Sequence, residues 1–328
     1  MSGRPAGDVV AAPPAVATAG LRIGGAMRAL LLTTCAVVLA APPAQAQRER
    51  YAPLILQLPA SARAVAMGGL SMGTRDVDAA FGNPALAGGS NAVSLTGARY
   101  ASGATVGHLA SAMTVGALGI SVGTQLLDAR SRFGGFPARS DVLTDEAARA
   151  TAGLGANVAA SFAWKGMRWG ASARYVEERV SDVRATSASF DLGASRSLLN
   201  GAVTAGVALQ HLGRDLAIGE TRAQLPARLS LGAAGGFGNF RWFDVAAAAN
   251  LAVRRDGRVL PAAGGELSYV PIEGVAFVVR GGVRAPELRA QRPLTSGAGV
   301  SFDRVSLDYG WEDMRGKGGA HHLTLRLR

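Results

Sequence analysis

Thiols, lysines, aromatic rings and long apolar runs are all scarce in this chain, and each scarcity closes off a class of function. Cysteine occurs once, at Cys35, so neither a disulfide framework nor paired-thiol chemistry is available. Beyond the first 46 residues no stretch supplies the roughly 18 to 20 consecutive apolar residues of a membrane-spanning helix. Charged residues are only 17% of the total and lysine stands only at 165 and 317, so the net charge of +11 is carried by arginine. Nucleic-acid binding is the first reading of such a charge. The arginines are dispersed, however, with no basic run and no recognition helix, and a water-filled lumen or acidic lipopolysaccharide accounts for them better. Four histidines are present. His321 and His322 are adjacent on a predicted strand, so their rings point to opposite faces and cannot share a metal. His108 and His211 lie in strands without an H-x-x-x-H spacing or paired cysteines. No metal site, cofactor or catalytic residue is assigned, and the expectation is a protein that is not an enzyme. A membrane-embedded lipase using histidine and serine is the remaining enzymatic alternative.

Glycine is abundant, at 44 of 328 residues, and 48% of the chain is hydrophobic. Mean hydropathy is +0.19. Such a chain is ordered, and two architectures suit its composition: a transmembrane β-barrel or an extracellular β-sandwich. The sparse aromatics, 6% of residues, sit less easily with a barrel.

Residues 1–26 show no periodicity and read as an upstream extension, with Met27 as the true start. Arg28, the apolar run Ala29–Ala41 and Pro42-Pro43-Ala44-Gln45-Ala46 form a secretory signal peptide over 27–46, cleaved after Ala46. Residues 47–90 form an N-terminal segment, and from 91 to 328 alternation hardly stops. About fourteen strands are predicted: 91–100, 104–113, 116–127, 151–164, 167–178, 183–197, 201–212, 225–236, 240–254, 258–271, 274–286, 293–302, 304–314 and 318–328. Most reach the length that a tilted strand needs to cross hydrocarbon, about twice that of a sandwich strand. Their faces differ in polarity. Leu118, Ile120, Val122 and Leu126 oppose Gly119, Ser121, Gly123 and Gln125; Leu323, Leu325 and Leu327 oppose His322, Thr324, Arg326 and Arg328. In lipid the apolar face needs no second layer.

Connections alternate between tight and long. Tight ones fall at Thr114-Val115, Lys165-Gly166, Leu199-Asn200, Gly238-Asn239, Pro271–Gly274 and Asp303, and the long ones include 128–150 and 213–224. This is the up-and-down plan of an antiparallel outer-membrane barrel, with short periplasmic turns and longer external loops. Phe162, Trp164, Trp169, Phe240, Trp242, Tyr269 and Phe302 gather beside the tight turns, as a periplasmic aromatic girdle would. Along the polar face, Arg168, Arg174, Asp191, Arg228, Asp244, Arg280, Arg284, Arg304, Asp308 and Arg326 are expected to line the lumen. Opposite signs on neighbouring strands would pair and could also hold Arg63, Asp76 and Asp78 of the N-terminal segment.

That segment does not alternate. Across Ser61–Gly89 a Gly68-Gly69 bend precedes two tight helical turns. Asp76 or Asp78 would cap the first, through Ala79, Ala80 and Phe81. Asn83 would cap the second, with Pro84 at its first position and Gly88 as the stop. An ordinary glycine-rich arm would read the same way, whereas a phosphate loop lacks its signature. Arg63, Met67-Gly68-Gly69, Asp78 and Asn83-Pro84-Ala85 together resemble the N-terminal signature of the PorV/PorQ family, outer-membrane barrels related to FadL-type transporters of hydrophobic compounds. The resemblance implies that this segment is a plug folded into the barrel lumen and that the barrel lies in the outer membrane of a Gram-negative-type bacterium. It also implies a role in protein secretion or surface attachment through secretion-system partners, or else passive uptake of a hydrophobic ligand. The polar loop 128–150, with only Phe133, Phe136, Val142 and Leu143 among its apolar residues, leans toward the secretion reading. Barrel-assembly signals normally close the last strand on an aromatic residue, and Leu327-Arg328 departs from that pattern.

Overall fold

The protein is described by a computed structural model covering residues 53–74, 76–101, 103–130, 150–180, 183–218, 221–288, 290–315 and 318–328. The expected extension, the signal peptide and the apolar residues of loop 131–149 lie outside the described residues.

Fourteen strands close into one antiparallel barrel. They are β1 (Ala92–Tyr100), β2 (Thr105–Val115), β3 (Leu118–Arg130), β4 (Ala150–Trp164), β5 (Met167–Val180), β6 (Val183–Leu198) and β7 (Val203–Gly213), followed by β10 (Arg228–Phe240), β11 (Phe243–Arg254), β12 (Val259–Ile272), β13 (Val275–Arg284), β14 (Gln291–Phe302), β15 (Val305–Met314) and β16 (Gly319–Leu327). Each pairs with its neighbour, and β1 closes on β16 in the register Val93↔Leu327 to Tyr100↔Ala320. Both ends of the ribbon therefore meet at the tight-turn end, the periplasmic side of such barrels. Each predicted strand has a counterpart here, displaced by a few residues at its ends. Two short strands, β8 (Leu216–Ile218) and β9 (Thr221–Ala223), pair only with each other. They make a hairpin where the sequence suggested loop, because three-residue strands are too short to show a period.

The period of two sends alternate residues to opposite environments. Leu95, Leu126, Val158, Phe190 and Val279 are all more than half exposed on the outer wall. Their inward neighbours Thr96, Gln125, Asn157, Asp191 and Arg280 are covered. An apolar surface this continuous would drive association in water, and hydrocarbon is the medium that leaves it stable. Strands of 9 to 16 residues suffice to span it.

At Lys165-Gly166 the turn carries φ of 50° and 74°, the paired left-handed geometry that matches strand twist in a two-residue hairpin. The β12–β13 turn is tighter than expected, because Pro271 and Ile272 stay in β12 across a register shift and only Glu273-Gly274 turn. Asp303 shares its turn with Arg304.

Candidate functional site

Residues 53–90 run along the inner wall. The Ala62 N–H donates to Thr324 Oγ1 at 2.9 Å, Thr295 Oγ1 donates to the Ala66 carbonyl at 3.2 Å, and Asn83 Nδ2 donates to the Ala194 carbonyl at 3.3 Å. These partners lie on β16, β14 and β6, so the segment touches opposite sides of the lumen. Space for its backbone comes from inward glycines. A Cβ on Gly310 would overlap Ala62, one on Gly264 or Gly282 would overlap Met67, and one on Gly170 or Gly193 would overlap Pro84 or Asn83.

Locally the segment follows its sequence. Ser61 caps a short helix, α1 (Ala62–Ala66), by accepting from the Ala64 N–H at 3.2 Å. Neither this helix nor the single turn Leu54–Gln57 was anticipated, since both are too short for a periodic signal. Gly68 and Gly69 follow at φ of 83° and 80°, and their N–H groups close the helix onto the Val65 and Ala64 carbonyls. Asn83 caps Pro84–Leu86 through the Ala85 N–H at 3.0 Å, with Pro84 at the first position. The expected capping by Asp76 or Asp78 of Ala79–Phe81 is not found, because only the backbone closes that turn. The Asp76 carboxylate instead turns toward the wall.

There six charged side chains make a closed cycle of alternating sign. Arg63 contacts Glu266 at 3.1 Å and Asp76 at 3.3 Å. Arg280 contacts the same Glu266 at 2.5 Å and Asp308 at 2.7 Å. Arg326 then joins Asp308, at 3.3 Å, to Asp76, at 2.8 Å. Three guanidinium groups and three carboxylates leave no net charge, which is the condition under which buried ions are tolerated. Two members belong to the segment and four to β12, β13, β15 and β16, so the cycle latches the segment to one side of the wall. Burial works to raise the Asp76 carboxyl, but Arg326, Arg63 and the Val77 N–H outweigh it and hold it below the ordinary range. Asp78, outside the cycle, is pushed up to about 6 by burial and by the charge of Asp76.

Two smaller clusters flank the cycle. Glu312 takes Arg284 and, at 3.1 Å, His322 Nε2. On β6, Asp191 takes Arg174 at 3.2 Å, Ser172 Oγ at 3.0 Å and the His211 N–H at 2.7 Å. The last bond exists because β6 and β7 slip register between Phe190 and Leu192, and His211 takes a φ of 57°. This bulge turns Gln210 and His211 both inward, which strict alternation forbids. Glu266 was missed by the sequence reading, and Glu312, which falls on the polar face of its strand with Ser306 and Asp308, was not counted among the lumen charges. Each lies at inward parity on its strand, and that parity was the available signal.

The remaining candidates are placed as follows. Arg168 is half-buried and donates to the Ala85 and Ala87 carbonyls, and Arg228 bonds Gln210 and Glu287. Asp244 has inward parity but lies exposed at the turn end of β11. Arg304 requires correction. Expected on the lumen wall, it sits exposed in the Asp303-Arg304 turn, because β15 begins one residue later than the alternation suggests. Phe162, Trp164, Trp169, Trp242, Tyr269 and Phe302 are exposed on the outer wall at the turn end. Phe240 closes β10, and its side chain lies outside the described residues.

The outer third of the lumen is different in kind. Leu54, Ile55, Leu56 and Leu58 pack with Tyr100, Val106, Leu127, Val176 and Met314 of the strand ends and with Leu216, Leu225 and Leu288 of the outer connections. Beneath this apolar layer lies a cavity of about 110 Å³ bordered by Leu56, Leu58, Met72, Phe81, Gln125, Arg174, Gln210 and Arg284. Among the described residues no group of His, Cys, Asp or Glu is arranged to hold a metal ion.

No protein-family model matches the chain, and no curated protein matches it. Solved structures do. The toluene transporter TbuX of Ralstonia pickettii superposes with a TM-score of 0.55 at 15% identity, over 82% of this chain and 98% of its own. This chain shares the fold of that barrel. The toluene transporter TodX of Pseudomonas putida gives 0.53 at 13% identity, over 85% and 98%. The monoaromatic hydrocarbon channel CymD gives 0.54 at 10%, over 84% and 97%. At such identities the likeness establishes the fold, a closed fourteen-strand barrel, and not substrate. A secretion role of the PorV/PorQ kind receives no support from these comparisons.

Proposed function

We propose that this protein is an outer-membrane channel that admits small hydrophobic molecules from outside, with residues 53–90 as its plug. The observation that carries the reading is the apolar layer across the outer lumen. A pore for polar solutes would keep that level wet. Here, withdrawing one leucine from the layer forfeits about 1.5–3 kcal/mol unless something equally apolar takes its place. A hydrophobic guest supplies that replacement and a polar one does not. The cavity below, at about 110 Å³, is smaller than the engineered apolar cavity of about 150 Å³ that binds benzene and is bordered by Arg174, Gln210 and Arg284, so the place for an aromatic guest is the apolar layer itself. The polarity of loop 128–150 does not bear on this layer, whose apolar surface comes from strand ends, from residues 54–58 and from Leu216, Leu225 and Leu288 of other outer connections.

The aromatic residues at the turn end act as a girdle at the periplasmic interface, and the dispersed arginines suit contact with lipopolysaccharide. Fluorine NMR of fluorotoluene with the mature chain in lipid nanodiscs tests the channel reading. Saturable binding, weakened in Leu225→Asn, is expected. Absence of saturable binding, together with secretion proteins in a pull-down, would return the Met67-Gly68-Gly69 and Asn83-Pro84-Ala85 signature to its PorV/PorQ meaning.

A further inference from the structure

The outward face of β4, β5 and β6 carries two features that take no part in the lumen. At the external end, Arg179 on β5 lies directly across from Arg184 on β6. Like charges in such a position repel, and a single carboxylate mediates between them. Glu177 takes Arg179 Nε at 2.9 Å and Arg184 Nη2 at 2.6 Å, and the Tyr175 hydroxyl donates to it at 3.0 Å. The cluster keeps one positive charge in excess, and the two arginine side chains remain 58% and 57% exposed. Below it, the outward residues of β5 are Ala173 and Ala171, both exposed. Ala173 pairs with Val158 on β4 and with Phe190 on β6, and Ala171 pairs with Leu192 on β6. Val158, Phe190 and Leu192 are each more than half exposed, so small residues floor a furrow between large ones. Its walls stand two strand spacings apart, about 10 Å between backbones, which is room for one acyl chain.

Height relates the two features to a membrane. From Trp169 at the turn end to Arg179, β5 climbs about 25 Å along the barrel axis at ordinary rise and tilt, the height of the apolar band of an outer-membrane barrel. The arginine pair therefore stands at the headgroup level of the outer leaflet, and the furrow runs down from it into hydrocarbon. Strand pairing alone gives no reason for two arginines opposite each other, since a threonine pair or opposite charges would hold that position better. We propose that the outward face of β4–β6 binds one phosphorylated lipid of the outer leaflet, a lipopolysaccharide molecule. Arg179 and Arg184 hold a phosphate, and an acyl chain lies in the furrow over Ala173 and Ala171. Guanidinium groups suit this partner because their forked N–H donors match phosphate oxygens. Glu177 orients both forks and Tyr175 fixes Glu177, so the clamp is preformed. The inference rests on the outer-membrane placement of the barrel and is independent of any hydrophobic guest in the lumen.

Native mass spectrometry of the full mature chain, titrated in detergent with bis-phosphorylated lipid A, tests it. The barrel should retain one lipid. Arg179→Gln combined with Arg184→Gln should weaken retention by about tenfold or more. Ala173→Leu, which fills the furrow and leaves the arginines intact, should weaken it as well. Arg292→Gln, which removes an exposed arginine paired with Asp313 elsewhere on the rim, should leave it unchanged. Fluorotoluene binding should be the same in the double glutamine variant as in wild type, which separates this site from the channel reading. Retention that survives the double variant overturns the proposal. So does an equal loss in Arg292→Gln, which would mark net charge alone. Retention abolished by inorganic phosphate and indifferent to Ala173→Leu would mark a site for a free anion and overturn it too.

Discussion

Asp308→Asn is the substitution that most sharply tests the ionic latch. It removes one carboxylate from the cycle and leaves three arginines facing Glu266 and Asp76. Arg280 and Arg326 each lose one of two partners while both remain buried. Breaking a buried pair on one side costs about 3–5 kcal/mol, because a charge is left uncompensated. If that cost falls on plug docking, the undocked fraction rises by about two to four orders of magnitude, at 1.36 kcal/mol per tenfold. A cysteine introduced as Ala64→Cys, with Cys35 replaced by serine, reports the fraction, since Ala64 is buried within α1. Its labelling rate by a water-soluble maleimide should climb by about a hundredfold or more in Asp308→Asn. Adding Arg280→Met removes the excess charge and leaves the chain Glu266–Arg63–Asp76–Arg326 paired end to end. The double variant should therefore label more slowly than Asp308→Asn alone, a coupling on the order of 1–3 kcal/mol. Equal labelling in wild type and Asp308→Asn, or strictly additive effects, would refute the latch.

Three further outcomes are expected. Asp78 has a folded pKa raised to about 6, so its charged form burdens the docked state at neutral pH, and that burden is lifted as pH falls from about 6 toward 4. Asp78→Asn should slow A64C labelling at pH 7, and the slowing should shrink as pH falls through 6 and be about halved near pH 5 once rates are corrected for thiol ionisation. Gly193→Leu should displace the segment around Asn83 and Pro84, costing about 1–3 kcal/mol or more by overpacking and raising the labelling rate without unfolding the barrel. Deleting residues 61–89 should raise permeability to small solutes in planar bilayers, and an unchanged conductance would remove the idea that this segment blocks the lumen.

The barrel was legible in the sequence because its signals are local. Leu323, Leu325 and Leu327 against Thr324 and Arg326 give a face from consecutive residues, and Lys165-Gly166 gives a hairpin from two. The Asn83-Pro84 cap and the Gly68-Gly69 bend are equally short-range and are found where expected. What the residue order conceals is which distant groups meet. Arg63 and Glu266 are 203 positions apart, and nothing near either names the other. The register slip at Asp191 puts Gln210 and His211 on one face, contrary to the period. The apolar outer layer joins residues 54–58 to strand ends and connections spread along the whole chain, so only the closed barrel assembles it.

The most direct measurement of the central claim is an experimental structure of the mature protein in nanodiscs exposed to a monoaromatic hydrocarbon. The guest should be found inside the barrel among Leu56, Leu225 and Met314, with residues 54–58 displaced from their packed positions. Finding it only on the outer wall, with that layer undisturbed, would contradict the account.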